Sequence, residues 1–151
     1  MKKIFAVVVL SFILWGCSNQ GHSENKGADT AAESGHQHET NMGNPGLNNG
    51  AKWKADTATL SNVALLKTIV STSKNDSPEN YILTAAEFQD GLNKMIQDCN
   101  MKGPGHDALH RWLEPLLEET NVLKSATKVE NARETLHKIE EQLNLFTQYF
   151  E

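Results

Sequence analysis

Residues 127–150 read "TKVENARETLHKIEEQLNLFTQYF". Within them Val129, Ala132, Leu136, Ile139, Leu143, Phe146 and Phe150 recur at alternating steps of three and four, unbroken to the end. That period places every apolar side chain on one face of an α-helix and leaves the Glu, Lys and Asn residues on the other. Thr127 followed three residues later by Glu130 predicts a capping box at the helix start. A helix with one apolar stripe needs partners that bury it, so the rest of the chain must supply complementary faces.

It supplies three. Residues 104–123 carry a stripe of His106, Leu109, Leu113, Leu116, Thr120 and Leu123, with Pro115 inside, where a kink is expected because proline cannot donate to the carbonyl of Arg111. Residues 78–99 follow a Ser77 cap with Pro78 in the first helical position, and the apparent seam is Ile82, Ala85, Gln89, Leu92, Ile96 and Cys99. Residues 57–73 follow Asp56 as N-cap and present Val63, Leu66, Ile69 and Val70. No segment alternates with period two. Four amphipathic helices joined by short connections predict an all-α, up-down-up-down four-helix bundle over residues 53–151. Trp112 is expected to pack in the bundle, and Asp107 with Arg111 to form a surface pair four residues apart.

Upstream the composition changes. Residues 18–50 are rich in Gly, Asn, Ser and Glu, with Leu47 as their lone branched aliphatic. Such a stretch cannot bury enough surface to offset chain entropy, so residues 17–52 read as a disordered tether. Before it, Met1, Lys2 and Lys3 lead into the apolar run 4–15, and then Gly16 and Cys17. This describes a signal peptide over 1–16 rather than a spanning helix. The ending "LWGC" resembles a bacterial lipobox, which implies lipidation of Cys17 and acyl chains that hold the domain on a bilayer. With Ser18 after the cysteine, the expected location is the outer membrane, facing the periplasm. The chain carries 14 Lys and Arg against 19 Asp and Glu, and loss of Lys2 and Lys3 with the leader makes it more acidic still. An acidic chain argues against nucleic acid as a partner.

The joint between the second and third helices, "CNMKGPGHDALHRWLEP" at 99–115, holds most of the chemistry. Once Cys17 is lipidated, Cys99 is the remaining thiol, and an oxidising compartment makes an unpaired thiol notable. His106 and His110 lie four residues and about 40° apart on one helix face. Met101 sits in the turn, and Gly103, Pro104 and Gly105 allow a sharp reversal. Cys99, Met101, His106 and His110 are therefore expected to converge at one end of the bundle as metal ligands. Thiolate, thioether and imidazole select Cu(I) over oxygen-seeking Ca or Mg; the same thiolate and imidazoles also suit zinc. His36, His38 and Met42 of the tether are auxiliary donors of the same type. Read by itself, each of these residues is equally at home as core filler or surface, and only their joint placement points to a metal.

"LNNGAKWKAD" at 47–56, followed by that hairpin, resembles a group of small helical envelope lipoproteins of Bacteroidetes. The shared patterns are L-x-N-G-x-K-W and C-x-M-x-G-x-x-H-x-x-L-H-x-[WF]-L-x-P, matched across about residues 47–150. The resemblance implies a helical domain, a loose association with copper and heavy-metal handling, and Cys99, Met101, His106 and His110 as ligands.

The expectation is thus a membrane-anchored metal-binding protein, a Cu(I) chaperone, buffer or sensor, with a metal-efflux or metal-chaperone protein as its partner. The alternative is a helical adaptor lipoprotein that binds an envelope protein without metal. Non-covalent haem ligated by His and Met ranks third, since no C-x-x-C-H is present. An enzyme is not expected: Cys99 near a histidine could make a nucleophile pair, but nothing marks an oxyanion hole or an orienting acid, and no H-E-x-x-H or phosphate-binding glycine loop occurs.

Overall fold

A computed structural model describes residues 44–151. The signal peptide, Cys17, His36, His38 and Met42 lie outside the described residues. Four helices follow one another: α1 Thr57–Thr72, α2 Pro78–Asp98, α3 Pro104–Lys124 and α4 Val129–Tyr149. Consecutive helices pack most extensively, and α1 also meets α4, which closes the bundle. Among the described residues there is no β-strand, only two isolated bridges. None of the described helices is long and apolar enough to cross a membrane.

The starts of α1 and α2 follow the sequence signals. The Asp56 carboxylate accepts from the Thr59 amide at 2.6 Å, and the Ser77 hydroxyl accepts from Asn80 at 3.3 Å with Pro78 next to it. α3 begins differently. Its N-cap is Gly103, which offers no side chain and sits at φ 67°, ψ −154°. That region is essentially closed to residues with a Cβ, so the reversal between α2 and α3 depends on this glycine. The capping box expected at Thr127 and Glu130 does not form. α4 starts at Val129 with Lys128 as its N-cap and no side-chain cap hydrogen bond, so Glu130 falls one position short of where a box needs it.

The core follows the stripes on α3 and α4 apart from His106 and Val129, which are half-buried. Leu109, Leu113, Leu116, Thr120 and Leu123 are buried, as are Ala132, Leu136, Ile139, Leu143, Phe146 and Phe150. On α2 the buried face is Tyr81, Thr84, Ala85, Phe88, Gly91, Leu92 and Met95. Ile82 and Ile96, placed on the seam by the sequence reading, are 39% and 50% exposed. The helix is rotated so that its aromatic residues enter the core, with Ala85 and Leu92 common to both faces. Gly91 allows α1 to come close: a Cβ there would meet Leu66 Cδ2 at 2.8 Å. α3 continues through Pro115 without interruption. Trp112, three residues earlier, is fully buried; its indole N–H donates to the Gln142 carbonyl at 2.8 Å, and the Gln142 side chain donates back to the Trp112 carbonyl at 2.8 Å.

Residues 44–55 are attached to the bundle at Pro45, Trp53 and Ala55, with 46–52 exposed between them, so attachment begins ahead of the boundary at 53 that composition marks. Pro45 is buried, and its carbonyl accepts from Arg111 Nη2 at 3.2 Å. The Asp107–Arg111 pair expected on sequence grounds is not among the ion pairs of the described residues. Asn48 and Ala51 close a turn, and the Trp53 indole donates to the Gly46 carbonyl at 2.9 Å. Trp53 then pairs in parallel with Phe150, through Trp53 N–H to Tyr149 O at 2.8 Å and Glu151 N–H to Trp53 O at 3.0 Å.

Candidate metal centre

The site is built where α2 ends and α3 begins. Cys99 is the C-cap of α2; its backbone N–H still donates to Met95 O at 3.1 Å, which fixes the thiol over the end of the helix. His106 lies in the first turn of α3, its amide bonded to Gly103 O at 2.9 Å. Those two anchors bring Cys99 Sγ to 3.6 Å from His106 Nδ1. The other ring nitrogen of His106 faces His110: Nε2 to Nε2 is 2.9 Å, with ring centroids 4.4 Å apart and planes inclined by 68°. One of those two nitrogens donates and the other accepts. Cys99 and His106 are half-buried and His110 is exposed.

Met101 takes a different direction. Its thioether sulfur accepts from the Thr59 hydroxyl of α1 at 3.8 Å, and its methyl would lie 3.5 Å from a Cβ built on Gly105. The structure therefore joins three of the four sequence-derived donors as two linked pairs, Cys99–His106 and His106–His110. The Met101 sulfur is engaged with Thr59 instead. Among the described residues no group of three or more His, Cys, Asp or Glu side chains is arranged around one point that could hold an ion.

The turn carrying Met101 is tied to α1 by residues whose role here has no signature in the sequence. Asp56 caps α1 with one carboxylate oxygen and accepts from the Asn100 amide at 2.7 Å with the other. Partial burial pushes its carboxyl upward, but the hydrogen bonds from Thr59 and Asn100 outweigh that and hold it below the ordinary range. Asp98 accepts from Lys94 at 2.6 Å and from Asn62 of α1 at 3.1 Å, which together keep its carboxyl low as well. Asp56 is legible in sequence as a cap; its reach to Asn100 is not, because the two residues are distant in sequence. Trp53 lies at this same end, with Cε3 3.4 Å from a Cβ built on Gly105. His137 pairs with Glu141 on α4 and takes no part.

No family model, no curated protein and no solved structure matches this chain.

Proposed function

We propose that this protein is a lipid-anchored metal-binding protein of the bacterial envelope. In this reading it holds Cu(I) at the α2–α3 corner as a chaperone, buffer or sensor, and Cys17 carries the anchor. The observation that carries the metal reading is the 3.6 Å between Cys99 Sγ and His106 Nδ1. Metal–sulfur and metal–nitrogen bonds of about 2.3 and 2.0 Å, opened to a tetrahedral or trigonal angle, separate the two donors by about 3.6 Å. The two atoms thus stand as neighbouring ligands of one ion would stand. Thiolate with imidazole is a donor set suited to Cu(I) and to zinc. The same separation also fits a weak thiol–imidazole hydrogen bond, so a metal titration decides between them.

Within this reading the two histidines differ in role. His106 ligates through Nδ1, and His110 accepts from its Nε2–H, fixing the tautomer and ring orientation as an outer partner of a metal ligand does. Met101 becomes a third donor once its sulfur leaves Thr59. His36, His38 and Met42 are auxiliary donors, and what supports them is the attachment of Pro45 to Arg111, the residue next to His110. Until Met101 joins, a site with two protein donors leaves room for one from a metal-efflux or metal-chaperone partner.

The test is an anaerobic Cu(I) titration of the intact chain against a chromophoric chelator, with zinc in parallel and elemental analysis of the product. One ion per chain is expected, with binding lost in Cys99→Ser. His110→Ala, as an outer partner, is expected to weaken it about ten- to a hundredfold. A wild-type chain that competes for neither ion would end the proposal, as would a Cys99→Ser chain that binds like wild type. The second reading, an adaptor for an envelope protein, rests on exposed apolar side chains: Leu83 at 63%, Val122 at 52% and Ile96 at 50%. It requires His106→Ala/His110→Ala to leave function intact.

A further inference from the structure

A cleft of about 470 Å³ is lined by Asn75, Tyr81, Arg133, Leu136, His137 and Glu140. It belongs to the other pole of the bundle, where α1 ends and α2 and α4 begin. Nothing in the metal reading uses it. Its volume is in the range of small-molecule sites.

Two features of its lining point to a ligand. Tyr81 is 1% exposed, yet its hydroxyl has no hydrogen-bond partner among the described residues. No buried side-chain nitrogen or oxygen there is left unsatisfied, so the hydroxyl must open into the cleft. A tyrosine buried to that extent ordinarily spends its O–H on the protein; this one keeps it for whatever enters. Arg133 has no ion-pair partner among the described residues: the pairs are Lys54–Glu151, Lys94–Asp98, Lys138–Glu134 and His137–Glu141. Its planar guanidinium matches a carboxylate with two parallel hydrogen bonds.

Charge narrows the class. The positive ends of α2 and α4 face this pole, and α4 has no side-chain cap to answer its first amides. That sum favours an anion. Glu140 in the same wall opposes a second negative charge, so a monoanion suits the cleft better than a phosphate dianion. Leu136 and the ring of Tyr81 provide an apolar floor.

We propose that this cleft binds a small organic monocarboxylate with an apolar body: Arg133 and the Tyr81 hydroxyl hold the carboxylate, and Leu136 and the Tyr81 ring receive the body. The site stands apart from the metal reading and survives its failure.

The experiment is a titration of the isotope-labelled intact chain with sodium benzoate, sodium acetate and sodium phosphate, followed by amide chemical shifts at constant ionic strength. Benzoate should give saturable shifts confined to the neighbourhood of residues 75, 81, 133, 136, 137 and 140. Acetate should bind more weakly, for want of an apolar body, and phosphate more weakly than benzoate. Arg133→Ala, an exposed substitution that leaves the core alone, should weaken benzoate about tenfold or more. Tyr81→Phe keeps the ring and should weaken it by a smaller factor. Shifts that never saturate, that match a sodium chloride control, that are larger for phosphate, or that survive both substitutions would overturn the proposal.

Discussion

His106 uses both of its ring nitrogens, and that decides what its neighbours can be. With Nδ1 turned to Cys99 and Nε2 to His110, it cannot share a single ion with both of them through one atom. Two histidines four residues apart are often read as a ligand pair. Here their nitrogens meet at hydrogen-bond distance instead, and the thiol takes the other side of the ring. Asp56 also serves two masters, capping α1 and holding the turn at Asn100. Its carboxyl is depressed in the folded chain, so it binds protons more readily when unfolded. Its contribution is therefore present above the ordinary carboxylate pKa and is lost as pH falls through the lower, folded value. Acid titration of wild type beside Asp56→Asn, followed by chemical denaturation, should show a stability loss on acidification below about pH 4 that is shallower in the variant. An identical slope in the two chains would remove Asp56 from that account.

α2 shows how an element can carry two plausible faces. Ile82, Ala85, Gln89, Leu92 and Ile96 make one stripe; Tyr81, Ala85, Phe88, Leu92 and Met95 make another, and they share two residues. Helical periodicity alone fits both. The partners choose: α1 reaches α2 at Gly91, where Leu66 occupies the space a Cβ would need, and that approach fixes the rotation. Met95→Ala should then lower stability by about 2–5 kcal/mol through the cavity it leaves. Ile96→Ala, one position on, should stay within about 0.5 kcal/mol of wild type. Urea denaturation of the two variants with unchanged m-values measures this, and the reverse order would restore the Ile82–Ile96 seam. α3 makes a related point. Pro115 takes from the helix the N–H that would reach the Arg111 carbonyl, yet α3 runs on, and one residue along Gln142 of α4 donates to the Trp112 carbonyl while its own carbonyl accepts from the Trp112 indole.

At the scale of the whole molecule, one pole of the bundle is clasped by residues 44–55 together with the C-terminal residues. Residues 44–55 run against α3 and the end of α4, and Trp53, Ala55 and Glu151 exchange backbone hydrogen bonds across the two ends of the described chain. This clasp and the Cys99–His106 corner occupy one pole. Native-state hydrogen exchange should therefore find the Trp53, Ala55 and Glu151 amides protected, against the rapid exchange that frayed termini show. Exchange at the rate of an unstructured chain would mean the clasp does not hold. Helix number, the apolar faces of α3 and α4, the caps at Asp56 and Ser77 and the reversal at Gly103 were all determined by sequence, because each depends on residues within a turn or two of one another. Three matters were left to tertiary structure: the face of α2, the ordering of residues 44–52, and the direction of the Met101 sulfur. The stripe, the composition and the donor type were each compatible with more than one outcome. Packing against residues far away in the chain selected one of them: Leu66 for α2, Arg111 for Pro45, Thr59 for Met101.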